Sequence, residues 1–236
     1  MSFFKIQNLR NLALFCLTSI VLIGGTSRML LSSPANNISI LMKGKAFPDP
    51  SIDLSKSQKN QTLVLSGGCF WGMEAVFEHI KGVSKVVAGY AGGNAQTAQY
   101  EIVSSGSTGH AESIEIAYDP SIISYGQLLK IYFAIAHDPT ELNRQGPDVG
   151  SQYRSVIFFS NDQEKKVAMN YIAQLNKAKV FNQPIVTQVI RLNRFYAAED
   201  YHQHFVARNP AYPYVVFNDL PKLQQLKSQF PNLYKN

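Results

Sequence analysis

One stretch of the sequence predicts how the domain begins: Thr62-Leu63-Val64-Leu65-Ser66-Gly67-Gly68-Cys69-Phe70-Trp71-Gly72-Met73-Glu74-Ala75-Val76-Phe77. Residues 62–65 predict a short buried strand, and the apolar spacing after Gly72 predicts a helix near 72–80. Cys69 is therefore expected at a strand-to-helix turn. Backbone N–H groups at the start of a helix favour a thiolate, so this position predicts a lowered pKa for Cys69.

From the residues alone, Cys69 has two interpretations. It is either a small buried side chain, as most free cysteines are, or a nucleophile, because a thiolate is reactive and a thiol hardly is. The chain has 2 cysteines, and the other, Cys16, lies in an apolar N-terminal stretch. In an exported protein without that stretch, Cys69 has no cysteine to pair with, which favours a chemical role.

Residues 1–35 predict an N-terminal secretory leader or a membrane anchor. Lys5 and Arg10 are followed by an uncharged apolar run from Leu12 to Gly25, which is shorter than the about 20 residues that span a membrane. The expected location is therefore outside the cytoplasm, periplasmic or secreted. The alternative is a protein tethered to the membrane by residues 12–28, and whether the leader is cleaved stays open.

Composition and charge narrow the class of protein. A chain of 236 residues with 45% hydrophobic content predicts an extended arm over 36–61 and a single catalytic domain over 62–236. Three positive charges of the formal +6 lie in the leader, so the remainder does not indicate a nucleic-acid partner. The histidine spacing predicts no metal site, and no phosphate loop or dinucleotide fingerprint is present.

Strands and helices alternate along the domain. The patterns predict strands near 62–66, 83–89, 100–103, 111–118, 153–159 and 185–190, and helices near 72–80, 124–136, 162–178, 197–206 and 220–230. Several strand connections are too short for helical crossovers. The predicted class is α+β, a two-layer sandwich with helices packed on a mixed or antiparallel sheet.

A carboxylate falls on the apolar face of one predicted strand. With period two, Glu112 shares a face with Ile114, Ile116 and Tyr118. Burial raises the pKa of a carboxyl and lets it hold or deliver a proton near neutral pH, whereas a glutamate at a strand end more often reaches solvent. Both interpretations stay open. The long polar stretch 137–155 is typical of a binding loop.

Seven motifs, in order, carry a resemblance to a known family. They are Gly68-Cys69-Phe70-Trp71-Gly72, Gly89-Tyr90-Ala91-Gly92-Gly93, Gly109-His110-Ala111-Glu112, His137-Asp138-Pro139-Thr140, Asn143-Arg144-Gln145-Gly146, Gln152-Tyr153-Arg154-Ser155 and Ala198-Glu199-Asp200-Tyr201-His202-Gln203. Together they resemble the peptide methionine sulfoxide reductases of the A type over residues 62–210. The resemblance implies a ferredoxin-like fold and thiol-dependent reduction of methionine S-sulfoxide, protein-bound or free, through a cysteine sulfenic acid, in the repair of oxidised proteins.

The resemblance also implies roles for individual residues. Cys69 matches the nucleophile and Glu112 the proton donor. The other matches are Tyr90 and Tyr153 for hydroxyls that hold the sulfoxide oxygen, Phe70 and Trp71 for the apolar pocket around the substrate methyl, and Asp148 for a substrate-orienting carboxylate. No cofactor or metal is expected. Because the tail lacks the additional cysteines of many relatives, an external thiol, either small or on a thioredoxin- or glutaredoxin-like partner, is expected to regenerate Cys69.

Two other classes of function also fit some of these residues. A hydrolase would use Cys69 with a histidine and Glu112, and would consume no reductant. A secreted module that binds methionine-rich peptides through Trp71 and nearby tyrosines would lose nothing on the change Cys69→Ser.

Overall fold

A computed structural model describes residues 47–54 and 60–236. The predicted leader lies outside these residues, as does most of the predicted arm. The first half of the described chain contains β1 Gln61–Ser66, α1 Phe70–Glu78, β2 Val83–Ala91, α2 Tyr100–Val103, β3 Ala111–Tyr118 and α3 Tyr125–Ile131, which continues into a π-helix over Tyr132–Ala136. The second half contains β4 Arg144–Gln145, β5 Asp148–Val149, β6 Val156–Phe159, α4 Asp162–Lys177, β7 Gln188–Arg191, β8 Phe195–Ala197, α5 Phe205–Arg208, a π-helix over Val215–Asp219 and α6 Leu220–Gln229.

The main sheet has six strands in the order β7-β6-β1-β3-β2-β8. Neighbouring strands are antiparallel except for the parallel pair β6 and β7. The inner order β6-β1-β3-β2, with α1 joining β1 to β2 and α3 lying between β3 and β6, is the ferredoxin-like arrangement. The prediction of an α+β fold with a mixed sheet is confirmed.

This topology brings distant motifs to one edge of the sheet. Strands β1 and β2 run in the same direction, with β3 antiparallel between them, so β1 and β2 end where β3 begins. Strand β6 is antiparallel to β1 and therefore begins at the same edge. The turn after β1, the end of β2, the start of β3 and the loop before β6 must meet there.

Strand β3 shows why its sequence alternates. Ile114, Ile116 and Tyr118 are buried on the face that Glu112 shares, whereas Glu115 and Ala117 on the other face are half-buried. The apolar face packs against α1, whose residues Phe70–Phe77 are all buried. Helix and sheet thus enclose one core directly beneath the edge that the motifs share.

Two predicted elements are wrong, and tertiary contacts explain both. The predicted strand 100–103 is helix α2, whose first N–H, on Tyr100, donates to Glu199 Oε1 at 2.9 Å. The predicted helix 197–206 is helical only from Phe205: strand β8, which pairs with β2, ends at Ala197, the Gln203 side chain hydrogen-bonds to the Ala88 backbone, and His204 has a left-handed φ of 53°. Gly89 permits the pairing of β8 with β2, since a Cβ there would overlap the Phe195 ring and the Tyr196 carbonyl oxygen.

The described part of the arm is attached to two helices. The Tyr171 hydroxyl of α4 donates to the Pro48 carbonyl oxygen at 2.6 Å, and Asp53 accepts the Gly126 N–H at the start of α3 at 2.8 Å. Within residues 47–54 and 60–236, no helix combines the length and apolar character that crossing a bilayer requires.

Candidate active site

Cys69 lies in the turn between β1 and α1, where it is the N-cap residue of the helix, and only 9% of it is exposed. Gly68 before it has a positive φ of 88°, and a Cβ there would approach Gln145 Cγ to 2.5 Å. The Gly68 N–H donates to the Tyr153 carbonyl oxygen at 3.1 Å. Glycine is therefore required at position 68 by both conformation and space, and the turn is fixed against the loop before β6.

Glu112 lies beside this turn. Its Oε2 accepts the Phe70 N–H at 3.0 Å, which places that oxygen within about 5.4 Å of the Cys69 Cα. Glu112 is 3% exposed, so the alternative of a solvent-reaching glutamate is wrong. Burial raises the pKa of Glu112 to about 8, with the charge of Asp148 adding to the rise and the Phe70 N–H opposing it. The carboxyl is mostly protonated at neutral pH.

The predicted lowering of the Cys69 pKa is wrong. Burial raises the pKa of the Cys69 thiol well above its usual range, and the negative charges of Glu112, Asp148 and Asp219 add to the rise. A hydrogen bond from the Trp71 backbone acts in the opposite direction but is the smaller effect. Desolvation and nearby carboxylates therefore raise the Cys69 pKa by more than the helix N-terminus lowers it. The resting group is a thiol.

Phe70 and Trp71 follow Cys69 in the first turn of α1, and neither ring lines the cleft that opens at Cys69. Both are buried, and Trp71 stacks on Phe205 with ring centroids 3.7 Å apart and an angle of 8°. The indole N–H of Trp71 donates to His202 Nδ1 at 3.1 Å. Burial lowers the pKa of His202 to about 4, so this imidazole is neutral and can accept that hydrogen bond.

The two predicted tyrosines lie near Glu112. Tyr90 is paired with Glu112 across β2 and β3, and its hydroxyl donates to Glu199 Oε2 at 2.9 Å. Burial and the charge of Glu112 raise the pKa of Tyr153, as do the charges of Cys69 and Asp148. Both hydroxyls therefore stay protonated and can donate, although the Tyr90 proton is already shared with Glu199.

Asp148 forms a pair of carboxyl groups with Asp219, which lies in the C-terminal part of the chain. Asp148 accepts a short hydrogen bond from the Tyr214 hydroxyl, and burial raises its pKa. Asp219 is 1% exposed, has no hydrogen bond to its side-chain oxygens within the described residues, and lies 3.8 Å from Lys222 Nζ. Burial and Asp148 raise the pKa of Asp219 to about 7, against the opposing charge of Lys222.

The cleft at Cys69 opens between the polar loop and the tail. Its walls include Gln145, Pro147, Tyr214, Phe217 and Lys222. Phe217 is 75% exposed and stands at the rim. Sequence reasoning missed the tail residues because their segment carries no motif. It also gave no role to Glu199 and His202, although both lie in a quoted motif.

These features are those of an α+β enzyme in which a buried thiol lies beside a protonated carboxyl. A model of the family described as peptide methionine sulfoxide reductase matches residues 61–234. The chain belongs to the peptide methionine sulfoxide reductase family. The chain is therefore an oxidoreductase that acts on a sulfur group.

Relatives and solved structures agree with this membership. Proteins named peptide methionine sulfoxide reductase MsrA 2 from Mesorhizobium japonicum and Synechocystis sp. are 56% and 51% identical, covering 78% and 81% of this chain and 94% and 91% of their own. The reduced form of Mxr1 from Saccharomyces cerevisiae has a TM-score of 0.59 and 32% identity, over 69% of this chain and 92% of that one. Methionine sulfoxide reductase A of Corynebacterium diphtheriae has a TM-score of 0.56 and 31% identity, over 70% and 84%.

Proposed function

We propose that this enzyme reduces methionine sulfoxide, protein-bound and free, with preference for the S epimer, and that it serves in the repair of oxidised proteins. The observation that carries the proposal is the hydrogen bond from the Phe70 N–H to Glu112, which holds a protonated carboxyl at the residue after the thiol. A sulfoxide oxygen leaves only when it is protonated, so the acid and the nucleophile must reach one ligand together.

The two resting protons suffice for the reaction. Glu112 protonates the sulfoxide oxygen while Cys69 Sγ attacks the sulfoxide sulfur and gives up its proton, which restores Glu112. The S–O bond then breaks as the hydroxyl passes to Sγ, and the bond between Sγ and the substrate sulfur breaks so that the thioether leaves with an electron pair. Cys69 is oxidised by two electrons to the sulfenic acid, and the substrate sulfur is reduced by two.

The substrate is held by the groups around the thiol. The resemblance to the family assigns the thioether methyl to Phe70 and Trp71, which follow Cys69 in the first turn of α1. Tyr153 donates to the sulfoxide oxygen, and Tyr90 does so if it releases Glu199. Asp148, fixed by the Tyr214 hydroxyl, orients the polar part of the substrate.

Regeneration of Cys69 requires a thiol from outside the site. Among the described residues Cys69 is the single cysteine. A thiol condenses with the sulfenic acid to a mixed disulfide and water, and a second thiol releases Cys69 with formation of a disulfide. We propose a thioredoxin- or glutaredoxin-like protein or a small thiol as the reductant, without a bound cofactor. The basic and apolar character of residues 1–35 supports action outside the cytoplasm, with tethering through residues 12–28 as the alternative.

One assay tests reaction, stereochemistry and recycling. The protein is given each sulfoxide epimer with either a monothiol or a thioredoxin-type reductant, and loss of thiol is measured against methionine formed. We expect two thiols oxidised per methionine from the S epimer, none with Cys69→Ser, and a mixed disulfide on Cys69 by mass spectrometry after trapping. Hydrolysis of a peptide substrate, with neither methionine formed nor thiol lost, would indicate a hydrolase. If the parent and Cys69→Ser bind the peptide equally well and neither forms methionine, the protein is a binding module.

A further inference from the structure

A second group of ionisable side chains lies at the other end of α1. Glu74 and Glu78 are one turn apart on the helix, and His204, just before α5, faces both. One ligand atom from each lies within 4.8 Å of the others. His204 Nδ1 is 3.9 Å from Glu74 Oε1 and makes a short contact with Glu78 Oε1. None of the three belongs to the site around Cys69.

The inner carboxyl is only half satisfied. The Glu74 side chain is 1% exposed, and its Oε2 accepts the His204 backbone N–H at 2.8 Å. Its Oε1 is buried and has no hydrogen-bond partner in the part of the chain that the structure describes. Most buried polar atoms of native proteins have a hydrogen-bond partner, so this oxygen offers a free lone pair to a water or an ion.

We propose that Glu74, Glu78 and His204 bind one divalent transition-metal ion, with Zn²⁺ as the ion that the donor set fits best. Two carboxylate oxygens and one imidazole nitrogen form a three-ligand set that leaves a position for water. The imidazole nitrogen selects such an ion over Mg²⁺ and Ca²⁺, which prefer oxygen ligands alone.

The geometry needs only small movements at the surface side of the cluster. Zinc ligands at about 2.0–2.1 Å lie roughly 3.3 Å apart in a tetrahedral site. Glu74 is already fixed by the His204 backbone, while the side chains of His204 and Glu78 are 51% and 23% exposed and can separate to this spacing. A cavity of about 410 Å³, lined in part by these two residues, gives an ion and its water access.

A bound ion would brace the helix that carries Cys69. It would join α1 to the segment in which Glu199 accepts from Tyr90 and His202 accepts from Trp71. An ion pair between His204 and Glu78 alone would leave Glu74 Oε1 without a partner. The expected consequence of binding is a more stable fold, because the unfolded chain holds no such arrangement of ligands.

The test uses the full, untagged chain with Cys16→Ser and Cys69→Ser, so that no thiolate binds the metal. Calorimetric titration with Zn²⁺ should show one site per chain, and Zn²⁺ should raise Tm. Glu78→Gln and His204→Asn should each lower the Zn²⁺ affinity at least tenfold. Asparagine is chosen because His204 has a left-handed φ of 53°, which asparagine tolerates. Glu101→Gln, an exposed acid on α2, is the matched control and should bind Zn²⁺ as the parent does.

Circular dichroism and Tm without metal show whether each variant folds, and Glu78→Gln, at a partly exposed side chain, provides the result if His204→Asn does not fold. A Co²⁺ titration should give a visible absorption band that both variants lose. The proposal is overturned if the parent binds no Zn²⁺, if Mg²⁺ binds as tightly as Zn²⁺, or if folded Glu78→Gln keeps the parent affinity. Because the tested chain has no catalytic thiol, the result does not depend on the proposed reaction.

Discussion

The backbone N–H of Phe70 donates to Oε2 of Glu112 across 42 residues of sequence, at 3.0 Å. This N–H belongs to the first turn of α1, where the helix offers it no partner of its own. A donor that would otherwise favour a Cys69 thiolate is thereby directed at the carboxyl. Since burial raises the pKa of both groups, thiol and acid each keep a proton at rest. Acid and nucleophile are thus set in place by one helix start.

Glu112→Gln should slow the formation of the sulfenic acid by roughly 10²-fold or more, because the amide cannot protonate the sulfoxide oxygen. With a pKa of about 8, Glu112 is protonated below that pH. The single-turnover rate of the parent should therefore be level below pH 8 and fall above it. The variant should lack this fall.

Rapid-quench measurement of methionine formed per enzyme, from pH 6 to 10, checks this. Glu115→Gln on the same strand is the matched control and should follow the parent profile. A decline above pH 8 that persists in Glu112→Gln would remove Glu112 from the role of acid.

The same substitution should stabilise the protein at alkaline pH. Glu112 has a pKa of about 8 in the fold against 4.5 as its reference value. Between these values the native state binds more protons, so the free energy of unfolding decreases as pH rises from 4.5 to 8 and the loss is complete above that range. Glu112→Gln escapes this cost. Relative to the parent it should gain on the order of 2–4 kcal/mol at pH 8.5 compared with pH 4.5, as measured by urea denaturation. A difference between the two proteins that does not change with pH would contradict the raised pKa.

Sequence periodicity predicts correctly those helices and strands that are determined by residues close to one another in the chain. The strand, turn and helix around Cys69 and strand β3 over Ala111–Tyr118 follow directly from periodicity. The predicted strand at 100–103 failed because Glu199, 99 positions along the chain from Tyr100, supplies the hydrogen-bond partner that begins helix α2. A hydrogen-bond partner so distant in the chain cannot be recognised from a short stretch of sequence.

The chemistry of the site could be predicted only in part for the same reason. The apolar face of β3 leaves both a buried and a solvent-reaching Glu112 open, and the resemblance to the family assigns it the role of proton donor. The helix start alone predicts the wrong direction for the Cys69 pKa, because burial in the folded chain raises this pKa and the charges of Glu112, Asp148 and Asp219 add to the rise. The helix start is a local feature and these charges are not. The direction of the Cys69 pKa shift can therefore be obtained only from the folded structure.

Asp219→Asn should lower the pKa of the Cys69 thiol. The charge of Asp219 is one of the causes that raise this pKa, after burial, Glu112 and Asp148. Asp219 itself has a pKa of about 7, so its effect is present above that pH. The pH dependence of iodoacetamide alkylation of Cys69, followed by mass spectrometry, should shift downward by about 0.5 to 1 unit. Asp200→Asn, at an exposed position, should leave the profile unchanged. An unchanged or upward-shifted profile in Asp219→Asn would show that this charge does not act on the thiol.

Gly72 and Asp219 should behave as a coupled pair in stability. A Cβ at Gly72 would overlap Asp219 Oδ1, and the Asp219 side chain is buried. Gly72→Ala should therefore lower the free energy of unfolding by about 1–3 kcal/mol, although alanine is the better helix former. In the background Asp219→Ala the overlap is gone, and Gly72→Ala should be neutral or stabilising. Urea denaturation of the four proteins gives the coupling energy directly. If Gly72→Ala has the same effect in both backgrounds, the Asp219 side chain does not restrict position 72 of α1.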